Sequence, residues 1–418
     1  MLTSFFFSVK ENKEVYFLAF LLAGYVLICS TPSLFGLSST RYISVPYRVL
    51  VFLFAAFFLY DKIRKKEFSF KKVIPFLFFF GFYFSKLLFS FHNHDYNEKV
   101  ALTFNEIYTR CIVIIFVPCL ALLSLNYTKI NLKLVVKFVF YTLFCALLLN
   151  FLYTVFYLNQ FDKISGVFSV YYITSGHYGT SLVVLSIYFF VFKLYNELRI
   201  SLFLLLLAVL LGLFAIFISA ARSPLLALVL ITLYFVILKK EYKYFYLFVS
   251  LSFLGLFFIY VAKQFFNIES AFVERNYVGI FEGNTSGREP YLARAITIFN
   301  DNWLFGDRVL YEDGMYPHNI FLEILMSGGV ILLILFLLFF KPLIQCSKKY
   351  FLFSDSKKYI FPFFFFWLQY FILVQTSYNI YSNPEFWYFS ALIIGISLNL
   401  YNEKIKSNDG CGNTTRDY

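Results

Sequence analysis

The residues of this chain whose type and spacing could do chemistry are arginines and a histidine placed where helices begin. Ser219-Ala220-Ala221-Arg222-Ser223-Pro224 sits between two apolar runs. Ser223 suits an N-cap and Pro224 the first helical turn. Arg222 then falls beside free backbone N–H groups and the positive end of a helix dipole, which is an anion site in outline. Further on, Ser286-Gly287-Arg288-Glu289 has the S-x-x-E form of a capping box, with Pro290 tolerated in the first turn. The helix it starts carries Leu292, Ala295, Ile296 and Phe299 on one face, Arg288 at its N-terminal end and Arg294 on another side. Tyr316-Pro317-His318-Asn319 stands directly before the apolar run IFLEILMSGGVILLILFLLFF. A helix dipole there favours the neutral imidazole, which can act as a base. Taken together, three arginines and one histidine at helix starts point to a site for an anionic lipid headgroup with a base nearby.

Each residue alone also fits a plainer role. Arg222 fits snorkelling to lipid headgroups, Arg288 and Arg294 fit a solvated face, and His318 fits a cap without chemistry. His92 and His94 have a spacing that suits a metal, but two ligands make a weak site. His177, near the boundary of an apolar run, reads as structural. Cys29, Cys111, Cys119 and Cys145 fall in apolar stretches, Cys346 in a basic loop and Cys411 in the tail. That scatter gives neither a zinc motif nor a disulfide framework.

The elements that must position these residues are membrane helices. Hydrophobic residues make up 60% of the 418 and charged residues 14%, where a soluble domain carries roughly a quarter charged. Lipid must therefore be the solvent for most of the surface. A helix needs about 20 apolar residues to cross the hydrocarbon core. Candidate spans centre near 15–36, 45–60, 73–91, 107–125, 134–158, 172–192, 200–220, 224–238, 244–263, 319–340, 359–378 and 386–401. The first run is followed by no small-residue cleavage site, so it reads as a span and not a signal peptide.

With the N-terminus in the cytoplasm, most of the 36 Lys and Arg residues gather in segments 1–14, 61–72, 126–137, 193–199, 239–243, 341–358 and 402–418. That is the positive-inside pattern, and it accounts for the net charge of +12 without nucleic acid. Acidic residues lean to the other side, and both termini are expected in the cytoplasm. The expected fold class is all-α: a polytopic transmembrane helical bundle of about twelve spans. It forms a single transmembrane domain, 1–401, with one long periplasmic loop, 264–318, that contains an amphipathic helix. A loop of that length invites a functional reading. The polar segment 402–418 reads as a disordered cytoplasmic tail, and FPFFFFW at 361–367 as lipid-facing composition.

SAARSPLLAL at 219–228 resembles the short Ser/Arg segment of the O-antigen polymerase and O-antigen ligase superfamily. GREPYLARAITIFNDNWLFG at 287–306, followed by YPHNIFLEILMSGGVI at 316–331, resembles its signature region. There an arginine-led loop helix is followed by a Gly turn, then by HN-x-x-L-E and a glycine entering a membrane helix. One departure is Gly306-Asp307, where many relatives carry a second glycine. The resemblance covers residues 219–331.

What it implies is glycosyl transfer from an undecaprenyl-diphosphate-linked oligosaccharide, outside the cytoplasmic (inner) membrane of a bacterium. Arg222 and Arg288 correspond to the diphosphate-binding arginines and His318 to the catalytic base; Arg294, Asn319, Glu323 and Tyr316 are supporting candidates. The resemblance implies no metal and no cofactor. Its implied partners are the lipid-linked glycan, membrane lipid, and as candidates a flippase and a chain-length regulator. The loop before the HN element is shorter than many ligases carry, which favours a polymerase over a ligase. A flippase or other transporter ranks third: paired halves and mid-membrane charges mark that class, and no internal repeat is visible.

Overall fold

In the computed structural model, residues 13–37, 41–96, 102–240, 242–265, 270–283 and 287–411 are described. All regular structure among them is helical. Among the described residues eight helices are long and apolar enough to cross a membrane, so the chain is a multi-pass helical membrane protein. Each of the expected spans coincides with a helix. In chain order these are α1 (Lys13–Ile28), α2 (Arg41–Arg64), α3 (Phe70–Asn93), α4 (Phe104–Ser124), α5 (Leu132–Leu158), α6 (Tyr172–Val191), α7 (Leu202–Ser219), α8 (Arg222–Lys239) and α9 (Tyr242–Gln264). Two helices, α10 (Ala271–Phe281) and α11 (Glu289–Asp301), then precede α12 (Ile320–Gln345), α13 (Phe361–Thr376) and α14 (Pro384–Cys411).

The helices fall into two compact units. The first comprises residues 1–49, 131–288 and 353–376, and the second 50–130, 289–352 and 377–418.

At the centre of the first unit is α6, whose YITSGHYGTSLVV opening is too rich in small and polar residues to face lipid. It is buried among its neighbours along most of its length. Small residues let its backbone approach α7 closely. A Cβ built on Gly179 would stand 2.5 Å from the Gly212 carbonyl oxygen, and one on Gly212 would stand 2.7 Å from the Gly179 oxygen. Polar side chains lock the same helix to others: Thr180 Oγ1 donates to the Pro224 carbonyl at 3.1 Å, and Gln369 Nε2 donates to the His177 carbonyl at 2.8 Å.

The phenylalanine run of α13 departs from expectation. Phe361, Phe363, Phe364, Phe365 and Phe366 are all buried by protein and do not face lipid. Phe365 lies edge-on to Tyr188, Tyr234 and Phe235, and Phe364 packs on Tyr234. Rings in that arrangement gain about 0.5–1.5 kcal/mol per pair beyond burial, which favours an aromatic core over lipid exposure.

The second unit is also built on rings. Trp387 is fully buried, with Phe79 at 5.4 Å and Phe80 at 5.0 Å from its centroid. Its indole N–H donates to the Ile380 carbonyl at 2.7 Å. A π-helical stretch, Arg110–Phe116, interrupts α4, and the Tyr388 hydroxyl donates to the Ile114 carbonyl within it. The last helix continues to Cys411, so the tail expected to be disordered from residue 402 is helical at its start. Extending an existing helix avoids the cost of nucleation. Residues 412–418 lie outside those described.

Candidate functional site

In the first unit the site starts at the break between α7 and α8. Ala220 turns the chain at φ +47°, and α8 begins at Arg222 after an Ala221 N-cap that makes no side-chain capping bond. Ser223 is therefore not the cap. Its hydroxyl lies 3.2 Å from Nε2 of His177, inside α6. The buried histidine has taken the side chain that a solvent-facing helix start would use on its own backbone. His177 ties the start of α8 to α6.

Arg222 is held from the other side by α10, a helix without counterpart in the sequence-based expectations. Ser270 caps it, accepting from Phe272 N–H, and Asp162 accepts from Ala271 N–H at 3.0 Å. Phe272, Arg275, Asn276 and Gly279 follow the i, i+3, i+4, i+7 pattern of one helical face. Phe272 packs on Phe217 at 5.3 Å. One turn on, Arg222 Nε donates to the Arg275 carbonyl at 2.8 Å. The guanidinium then lies flat on Gly279, where a Cβ would come within 2.4 Å of its Cζ. Glycine is required there for room.

The charges of Arg275 and Arg288 both act on Arg222, and both act on the Tyr171 phenol. Arg275 donates to the Tyr172 hydroxyl at 3.3 Å, and its guanidinium lies 5.7 Å from the ring centre. Lys163 approaches the same ring at 5.6 Å. The first unit thus gathers like charges around the start of α8, an arrangement that favours an anion. Arg222 and Arg288 belong to this cluster. Arg275 was missed because it sits mid-helix in a segment read as plain loop. The available signal was the 272–275–276–279 periodicity after Ser270.

In the second unit, α11 begins at Glu289 with Pro290 in its first turn; Ser286, its expected cap, lies outside the described residues. The buried face differs from the expected one. Ala295 is buried with Tyr291 and Ile298 against Tyr311, Met315, Leu322 and Met326, whereas Ile296 is 46% exposed. The helix is rotated because the turn that follows it must reach α12. Gly306, at φ +64°, closes that turn, and α12 is broken opposite it at Gly329, φ +60°.

The two breaks fit into one another. Val330 N–H donates to the Trp303 carbonyl at 2.9 Å, Ile331 N–H to Leu304 at 3.3 Å, and Asp307 N–H to the Met326 carbonyl at 2.8 Å. These three backbone groups of the broken membrane helix thus find their partners in the inserted turn. Both glycines are needed, since a Cβ at Gly306 would stand 2.5 Å from Gly328 N and one at Gly329 2.4 Å from the Leu304 carbonyl carbon. The Gly306-Asp307 departure is accommodated: Asp307 accepts from Arg308 Nε at 2.8 Å and lies 3.1 Å from His94 Nε2. Lys86 Nζ donates to the Gly306 carbonyl at 3.1 Å.

His318 is not the cap of α12. Asn319 is, its side-chain oxygen accepting from Phe321 and Leu322 N–H at 3.1 Å each. His318 precedes it in the left-handed region, at φ +59°, which costs a non-glycine residue about 1 kcal/mol or more. Its ring lies 4.4 Å from Tyr316 and 6.0 Å, edge-on, from Tyr291 of α11. The Tyr311 hydroxyl donates to the Tyr291 carbonyl at 2.5 Å, and burial pushes that phenol above its ordinary range. Arg294 lies over Tyr311 at 4.5 Å and pairs with Glu312 and, at 3.6 Å, Asp313.

Glu323 is fully buried and accepts the Ile380 N–H with both oxygens, at 3.1 and 3.0 Å. With the Trp387 indole on the Ile380 carbonyl, it grips one residue of the connection between α13 and α14 from both sides. His92 is exposed and His94 turns to Asp307, so they form no pair. Among the described residues no group of three or more His, Cys, Asp or Glu could hold a metal.

The chain matches the model of a family described as O-antigen ligase over residues 207–337, from within α7 to within α12. That span holds Arg222, Arg275, Arg288, Arg294, His318 and Glu323. Searches of curated proteins and of solved structures found no match. The match over this segment supports the O-antigen polymerase and ligase superfamily and points to a glycosyltransferase-like enzyme of polysaccharide assembly.

Proposed function

We propose that the protein is a polymerase of O-antigen or a related surface polysaccharide, joining undecaprenyl-diphosphate-linked repeat units at the periplasmic face of the bacterial inner membrane. The observation that carries this reading is the guanidinium cluster at the start of α8 within the segment matched to the family. Arg222 and Arg288 hold the lipid diphosphate, and their charge cannot be lost by deprotonation. His318 takes the proton of the acceptor hydroxyl as its oxygen bonds to the anomeric carbon. The bond from that carbon to the diphosphate oxygen breaks, and its electron pair leaves with the diphosphate. Stabilising that developing charge is electrostatic catalysis. No cofactor takes part in this scheme. Both chain termini are assigned to the cytoplasm and segment 264–318 to the periplasm. A Glu312→Cys variant in an otherwise cysteine-free chain should accordingly react with an impermeant thiol reagent from the periplasmic side.

The second reading, O-antigen ligase, has the family's description in its favour. Lipopolysaccharide from a deletion strain separates the two. Loss of a polymerase leaves lipid A–core bearing one repeat unit and no ladder, because the unit is still made, flipped and ligated. Loss of a ligase leaves bare core with long glycan on undecaprenyl diphosphate. Loss of a flippase leaves bare core with unpolymerised units on the cytoplasmic face. Bare core with accumulated lipid-linked polymer would sink the polymerase and promote the ligase.

A further inference from the structure

Arg275 lies in the middle of α10 and has no part in the transfer scheme above. Its surroundings are those of a binding residue. A guanidinium has five N–H donors; the Tyr172 hydroxyl takes one, and the ring holds the plane by cation–π contact. Among the described residues no carboxylate pairs with it. Glu274, its neighbour in sequence, pairs with Lys263, and Asp162, at the N-terminus of the same helix, accepts from Ala271 N–H. Arg275 also shares its neighbourhood with like charge, since it and Arg288 both act on Arg222 and on Tyr171. Lys163 is on the same Tyr172 ring. Gathering like charges is costly, and a multiply charged anion recovers that cost. The backbone carbonyl of Arg275 meanwhile anchors Arg222 Nε, so one residue places one guanidinium and offers another.

We infer that Arg275 is a third phosphate-binding guanidinium, held by Tyr172 and acting with Arg222 and Arg288 on the diphosphate group of a lipid-linked substrate. This rests on the assignment of Arg222 and Arg288 to a diphosphate. The number of forks decides the ligand class. Each guanidinium matches the two oxygens of a phosphate bidentately, so three of them exceed the demand of a monophosphate and suit two linked phosphates.

The test is direct lipid binding to the full-length protein in phosphatidylcholine nanodiscs, with radiolabelled undecaprenyl diphosphate and undecaprenyl monophosphate as probes. Losing one charge-assisted contact should weaken diphosphate binding about tenfold to a hundredfold in Arg275→Ala. Monophosphate binding should weaken by much less, with the thermal midpoint unchanged. Arg275→Lys should recover part of the affinity, because it restores charge without the fork. Tyr172→Phe, which removes only the hydroxyl, should give a smaller loss in the same direction and serves if Arg275→Ala does not fold.

Wild-type diphosphate affinity in Arg275→Ala, beside a large loss in Arg222→Ala, overturns the role of Arg275 and leaves the proposed function standing. Equal losses for the two lipids also overturn it, reducing Arg275 to a scaffold for Arg222. Failure of the wild-type protein to bind undecaprenyl diphosphate removes both the inference and the reading beneath it.

Discussion

The two clusters that flank the loop helices use the same residue type in opposite ways. In the first unit, Arg222 gives its Nε–H to a backbone carbonyl and Arg275 gives an N–H to a phenol, while the charges of Arg275 and Arg288 act on Arg222. In the second, Arg294 meets Glu312 and Asp313, and Arg308 meets Asp307 and Glu312. An arginine answered by carboxylates has spent its charge on the fold. An arginine gathered with others adds to a positive field that favours an anion. The second unit supplies something else, an imidazole among tyrosine rings at the start of a broken helix.

The largest expected effect comes from removing the proposed base. His318→Ala should lower polymer formation by about 10²–10⁴ with insertion intact, as expected for loss of general-base catalysis. Ladder length and in vitro turnover measure it. Near-normal turnover would leave the histidine as a structural residue before the Asn319 cap and would empty the second cluster of chemistry.

Next come the gathered arginines. Arg222→Ala and Arg288→Ala should each cost roughly 3–4 kcal/mol of transition-state stabilisation, about 10²–10³ in rate. Lysine at either position should fail to restore it, because the bidentate fork is lost. If Arg222→Lys worked as well as arginine, the cluster would be acting as diffuse charge and its geometry would carry nothing.

Gly329→Ala probes how the second cluster is built. Its Cβ would meet the Leu304 carbonyl group, so the turn after α11 must withdraw from the break in α12. We expect a loss of about 1–3 kcal/mol in stability, the usual cost of overpacking, read as a lower midpoint in detergent. Activity should fall with it, since Tyr291 of α11 packs on His318. An unchanged midpoint would mean that the inserted turn does not hold the two helices together.

The smallest effect belongs to an arginine already answered. Arg294→Ala removes partly exposed ion pairs worth about 0.2–1 kcal/mol and should change polymer yield by less than tenfold. A loss as large as that of Arg222→Ala would erase the distinction between paired and gathered arginines.

Much of the molecule was legible in its sequence. Length and hydropathy of the apolar runs located the membrane helices, and short-range signals located their starts. Arg222 was read at the head of α8, Pro290 in the first turn of α11, and His318 immediately before α12. These signals work because span length and helix initiation depend on residues within a turn or two of each other.

Other features were decided only by tertiary structure. Whether a phenylalanine meets lipid or protein leaves little trace in composition, because lipid tails and protein cores are equally apolar; so the run at 361–366 was misread. The rotation of α11 depended on a turn that reaches Gly329 of another helix. Ser223 lost its capping role to His177, distant in sequence, and Glu323 found its partner at Ile380. Arg275 became conspicuous only when α10 laid it against Tyr172 and set Gly279 over Arg222. Each of these outcomes is set by a contact between residues far apart in the chain, where hydrogen bonds and close packing choose among partners that local pattern treats alike.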